Sequence, residues 1–454
     1  MKSARKAAMT LGAMMVAASL ALTGCSGSGS SGSSGSSGTT KTVTQAEIDK
    51  AMNTPTTLTF WTWVPNIQTE VNLFEKKYPK IKVKVVNTTG GSTHYPKLRA
   101  ALQAGKGVPD VSQIEYDYIP SFTQTKSLLN LTPYGAASLK SDYVGWVWNQ
   151  VQSGSNVWAI PQDSGPLGNL YRNDIYTKAG ISGAPKTWSD FAADAATIKS
   201  KTGSYITDLP GNDMFQTIGF FWQAGAKPFS YDGSKTVGIN LNSATDQKVV
   251  SYWQDLINKN LVATDPDFTD AYYQGLAQGK YASWLVAAWG PVFLQGTVKS
   301  TSGDWRAGDI PQWTAGANVS GNWGGSSDAV MATTKNPIAS YELAKFINND
   351  AQSTLDLANQ QFLFPTTNKT LTSPQFTNQS SAFYGGQKVN QFFAGVSKTV
   401  DKKFQWLPFM DYVNSSYANT LGKAIADHSD LKAALATWQQ QVVTYAKQQG
   451  FTVK

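Results

Sequence analysis

Fifteen tryptophans, two histidines and one cysteine set the chemistry open to this chain of 454 residues. With only His94 and His428, a histidine-based zinc site is not expected. No Gly-x-Ser-x-Gly nucleophile elbow occurs. Asp265, Asp267 and Asp270 cluster, but they lack the glycine and distal glutamate of a calcium loop. They read as negative charge at the N-terminus of the helix that follows. They do not single out the carboxylate pair, about 5–10 Å apart, of a glycosidase. The expectation is a protein that binds rather than reacts, with no catalytic residue, no metal and no cofactor.

The remaining candidates are rings and carboxylates. A sugar presents apolar C–H faces that rings can cover, and hydroxyls that carboxylates or amides can take in paired hydrogen bonds. Trp61 and Trp63 share one face of a strand, so one can line a cleft while the other packs in a core. Glu115, Tyr116 and Asp117 follow one another at a strand end, where a solvated loop is the plainer reading. Asp163 is a further candidate, with hinge capping as its alternative. Trp222 follows Gly219-Phe220-Phe221, a cluster that also suits a core. Trp289 precedes Gly290-Pro291 at a helix start, Trp323 precedes Gly324-Gly325, and Trp406 lies near Pro408. The glycine pair would let a ligand approach backbone amides closely.

The elements that must position these residues alternate. Leu58 to Trp63 is rich in β-formers. Ile67, Val71, Phe74 and Tyr78 fall at helical spacing before Pro79. Residues 81–86 form a second strand, Gly90-Gly91-Ser92 a turn, Leu98 to Leu102 a helix ending at Gly105, and residues 110–115 a third strand. A second such series starts near Gly168, with strands at 169–172, 204–207, 281–288 and 329–333. Its helices are expected after the capping box Thr187-Trp188-Ser189-Asp190, and at 213–224, 244–260, 270–278 and 337–348. The C-terminal quarter is helical. Strand–helix alternation with long crossovers predicts an α/β fold with parallel pairing. Ligands of such sheets sit beyond the carboxyl ends of the strands, which points at Trp61, Trp63, Gly91, Ser92 and Glu115 to Asp117.

The N-terminus bears on location. Lys2, Arg5 and Lys6 precede a small, apolar run at 7–22 that is too short to span a membrane. Residues 1–24 therefore read as a signal peptide. Leu22-Thr23-Gly24-Cys25 resembles the lipobox of bacterial lipoproteins, which implies cleavage before Cys25, lipidation of its thiol and an extracytoplasmic anchor. Residues 26–38 are all Ser or Gly, so 25–56 is expected to tether a folded body. Of the net charge of +8, three positive charges lie in the signal segment. The rest is scattered, which argues against nucleic acid.

Several segments, in order and spacing, resemble the solute-binding proteins of the maltose-binding type that serve oligosaccharide ABC importers. They include Phe74-Glu75-Lys76-Lys77-Tyr78-Pro79, Gly107-Val108-Pro109-Asp110-Val111, Leu170-Tyr171-Arg172-Asn173-Asp174, Ala288-Trp289-Gly290-Pro291 and Phe364-Pro365. Arg172 stands where many members carry Tyr, and Glu115 where many carry Asp. The resemblance implies a type II periplasmic-binding-protein-like fold, with two discontinuous α/β lobes joined by a hinge. The expected lobes are 57–163 with 329–362, and 164–328 with 363–454, with crossings near 162–167, 323–328 and 361–365. It implies a monomer that closes on an oligosaccharide and is recognised by membrane permease subunits. The sugar-contact set would be Trp61, Trp63, Ser92, Glu115, Tyr116, Asp163, Trp222, Trp289, Trp323, Gly324, Gly325 and Trp406. A surface lectin on the same anchor, or a glycoside hydrolase, are the alternatives.

Overall fold

The structure, a computed structural model, describes residues 42–90 and 93–454. The expected signal segment, Cys25, most of the tether, Gly91 and Ser92 lie outside the described residues. Eight strands carry the argument. They are β1 (Thr56–Thr62), β2 (Ile81–Asn87), β3 (Val111–Glu115), β4 (Ile160–Pro161), β5 (Leu167–Arg172), β6 (Ser283–Ala287), β7 (Trp305–Asp309) and β8 (Ser326–Val330).

The first sheet has the order β2-β1-β3-β8-β4. β1 lies parallel to β2 and β3, with Phe60 opposite Val111. β8 runs antiparallel to β3, with Ser326 opposite Glu115. Burial along β1 alternates at first, with Leu58 and Phe60 inside, and becomes continuous at Trp61 and Thr62. A strand flanked on both sides and covered on both faces loses its polar face in this way.

The second sheet has the order β6-β5-β7, and both neighbours run antiparallel to β5. The parallel pairing expected from strand–helix alternation thus holds for β1 to β3 and fails here. Every residue of β5 is buried. β7 gave no sequence signal because only Trp305 and Ala307 of its Trp-Arg-Ala-Gly-Asp run are buried. β8 begins at Ser326, ahead of the strand expected from 329. Beyond 363, the short helices Asn368–Leu371 and Pro374–Thr377 pack on helix Ala351–Gln360, while helix Val389–Val396 packs on β5 and β7.

Five helices matter for the site. They are α1 (His94–Ala104), α2 (Met214–Gln223), α3 (Asp270–Gln278), α4 (Gly290–Thr297) and α5 (Met410–Asn419). Asp213 caps α2, its carboxylate accepting from the amides of Phe215 at 2.7 Å and Gln216 at 3.1 Å. Thr269, not one of the nearby aspartates, caps α3. Asp265 instead takes Lys280 Nζ at 2.6 Å, and Asp267 takes Asn212 Nδ2 at 2.8 Å. No helix among the described residues is long and apolar enough to cross a membrane.

Candidate functional site

Two segments pass between the two sheets, 162–166 from β4 to β5 and 310–325 from β7 to β8, and residues 364–365 run beside the first. Asp163 bridges to Pro365 and Pro166 to Asn322. The Trp323 amide donates to Gly165 O at 2.8 Å, and the Ser164 amide to Phe364 O at 3.1 Å. A Cβ on Gly165 would collide with Trp323 O, so only glycine permits this approach. Gly325 has φ +106, and a Cβ there would stand 2.7 Å from the Tyr116 ring. These crossings are held by backbone hydrogen bonds rather than by a packed helix, as suits segments that absorb rotation.

Carboxylates gather around the crossings from three directions. Glu115 ends β3 and accepts from Tyr95 Oη at 2.9 Å, Tyr95 being on α1. Asp163, in the first crossing, accepts from the Ser326 amide at 2.8 Å and from the Ser326 hydroxyl. Asp213 enters from the second lobe at the head of α2, within reach of the Trp323 indole. Burial raises the carboxyl of Glu115, and the charges of Asp163 and Asp213 raise it further. Burial likewise raises Asp163 and Asp213. Asp117 is raised by burial and then by Glu115, and its Oδ2 has no hydrogen-bond partner. Asp267 is raised by burial and by Asp213, and its Oδ2 is also unpartnered.

Rings complete the site. The Trp289 indole, at the head of α4, donates to Trp323 O at 2.9 Å, and the two rings meet edge-on at 5.0 Å. Phe268 lies 6.0 Å from each of them and is 43% exposed. Its φ of 55° is unusual for a bulky residue. An exposed ring on strained backbone, beside a buried aspartate and two indoles, has the form of a ligand platform.

The expected residues fall into groups. Glu115, Tyr116, Asp163, Trp289, Trp323, Gly324 and Gly325 converge at the crossings, Tyr116 Oη donating to Asp163 O at 2.8 Å. Trp63 is half-buried at the end of β1, 5.2 Å from His94. Trp61 is buried beneath the Lys97 ammonium, 4.6 Å from its centroid.

Trp222 and Trp406 lie among core rings instead. Trp222 is fully buried, stacks on Phe404 at 4.1 Å and donates to Asp401 O. Trp406 is buried and donates to Gln150 Oε1 at 2.7 Å. Both belong to an aromatic core with Trp146, because their apolar faces and indole protons are already engaged.

Asp213 and Phe268 were missed. Asp213 carried one usable signal, an N-cap aspartate ahead of a helix that is apolar around its circumference. Phe268 carried none, because nothing in sequence marks a φ of this kind.

Residues 60–354 match the family described as bacterial extracellular solute-binding protein. The arabinooligosaccharide-binding protein of Bacillus subtilis (strain 168) is 26% identical over 312 residues, covering 66% of this chain and 70% of the relative. The lactose-binding protein of Rhizobium radiobacter is 27% identical over 392 residues, covering 81% and 86%. Among solved structures, the ABC transporter associated binding protein of B. animalis subsp. lactis Bl-04, in complex with β-1,6-galactobiose, superposes with a TM-score of 0.76. It is 29% identical, over 88% of this chain and 100% of that one.

Proposed function

The chain belongs to the bacterial extracellular solute-binding proteins, and from that premise we propose that it captures an oligosaccharide between its lobes for delivery to an ABC importer. The observation that carries this reading is the meeting of Glu115, Asp163 and Asp213 with Trp289, Trp323 and Phe268 at the crossings. Acceptors come from both lobes and from a crossing segment, and rings supply the faces between them. Such a site holds a hydroxyl-rich ligand in full only when the lobes approach. Ligand binding then shifts the open–closed equilibrium by its differential affinity for the closed form. The closed form is what a permease would recognise. The residues at the site bind and orient, with no catalytic step assigned to any of them.

The body acts as a monomer. Cys25 carries the lipid that anchors it outside the cytoplasm, and the Ser/Gly stretch holds it off the membrane. Loss of radiolabelled lipid incorporation in Cys25→Ser tests the anchor.

A saccharide panel read by thermal shift and calorimetry tests the binding reading. β-1,6-Galactobiose is a natural first probe, being the sugar held by the relative of 29% identity. The expected result is a saccharide that stabilises the protein and compacts it in small-angle scattering. If no saccharide stabilises it at millimolar concentration, the reading fails. If a saccharide binds without compaction, a rigid lectin replaces the receptor.

A further inference from the structure

We infer that the site selects its saccharide by charge, admitting uncharged oligosaccharides and refusing those that carry a carboxylate, sulfate or phosphate. The inference rests on the saccharide-binding reading and narrows it. Glu115, Asp117, Asp163, Asp213 and Asp267 surround the crossings, and among the described residues no lysine or arginine lies within 4.0 Å of any of them. Of the two cations on α1, Arg99 pairs with Asp411 at 2.9 Å, and Lys97 lies over the Trp61 face.

The local donors are committed as well. Tyr95 Oη is held by Glu115, the Ser326 amide and hydroxyl by Asp163, the Phe215 and Gln216 amides by Asp213, and Asn212 by Asp267. Asp117 and Asp267 are 5% and 2% exposed, and each leaves one carboxylate oxygen unpartnered. These donors are therefore spent on the site's own carboxyls, and no cation remains among them to pair with an anion brought by the ligand. An anionic substituent would enter this group with no cation to pair it, beside carboxyls whose charges already raise one another. Discrimination of this type works by an unfavourable contact with the wrong ligand as much as by a favourable one with the right ligand.

The test uses calorimetry on the full mature chain, with the tightest neutral disaccharide of the panel and its counterpart bearing a uronic acid in place of one hexose. The uronate is expected to bind about 100-fold more weakly or worse, since taking an anion into a low-dielectric site with no cation to pair it is costly. Asp117→Asn and Asp213→Asn are each expected to narrow that ratio several-fold, while Asp427→Asn, on a distant exposed helix end, leaves it unchanged. The inference is overturned if the neutral sugar binds and the uronate follows within about threefold, where the unpaired charge would have no measurable role. It is equally overturned if neither amide variant moves the ratio. If no saccharide binds at all, the saccharide-binding reading falls and takes this inference with it.

Discussion

Arg99 and Asp411, 312 positions apart in sequence, form an ion pair at 2.9 Å between the two lobes. Arg99 sits on α1, whose Tyr95 braces Glu115 of the first sheet, and Asp411 lies in the first turn of α5, which packs on α2 of the second lobe. Arg99 is also steadied from its own side by Ser121 Oγ at 3.1 Å and by the Phe122 ring at 4.8 Å. The pair is partly exposed, at 37% and 55%, so its contribution is modest.

Since the proposed opening would separate the pair, Arg99→Ala should weaken saccharide binding by about two- to fivefold, mostly through faster dissociation. Asp411→Ala should do the same, and the double variant should lose no more than either single one. Stopped-flow dissociation rates on the three variants check this. Additive losses would show that the two side chains act separately.

Phe268→Ala and Trp222→Ala should separate site from core. Phe268 is largely exposed, so its loss should lower saccharide affinity about tenfold or more at little cost in thermal stability. Trp222 is 1% exposed, and its truncation should cost about 3–5 kcal/mol of stability. Paired calorimetry and thermal denaturation check both. An affinity loss in Trp222→Ala without destabilisation would return that ring to the site.

Stability should increase as the pH is lowered from about 8 towards 5.5. Burial pushes Glu70, Asp246 and Asp328 up to about 7. In the unfolded chain such carboxyls ionise near 4. Between those values the folded protein holds the extra protons, so this stabilisation is complete below about 4 and lost as the pH rises through 7. His94 works against the trend. Burial lowers it to about 4, so its contribution is present above about 6.5 and lost as the pH falls through 4. One histidine against three carboxyls leaves the acid direction dominant. A melting temperature that climbs by a few degrees across this range is the expected observation, and a flat or falling profile contradicts it.

Gly165→Ala should destabilise the chain by about 2 kcal/mol or more, because its methyl group would meet Trp323 O. Gly296→Ala is the matched control, since a Cβ there meets nothing within 4 Å. Chemical denaturation of the two variants makes the comparison.

Much of this arrangement was legible in sequence where a local signal and a tertiary demand coincide. The Thr187 capping box and the helix from Trp188 are present as read, with the Asp190 amide donating to Thr187 Oγ1 at 3.0 Å. Helix α3 has the expected span of Asp270–Gln278, though Thr269 rather than an aspartate caps it. The two-lobed α/β class followed from strand order and a family resemblance together. What stayed hidden was decided at long range. The antiparallel setting of β5 depends on partners more than a hundred residues away. Whether an indole lies in the core or in the site depends on its neighbours: Trp222 and Trp289 both stand beside glycine-containing runs, yet only Trp289 turns towards the crossings.

The crossing segments place Asp163, Trp323 and Gly325 on the axle about which the proposed closure would turn. Points on an axle travel least. An arriving sugar would therefore meet these groups already in place, while Asp213, carried at the head of α2, would move with that helix. Under that closure, first capture and the later grip would fall to different residues, and each could be tuned without the other.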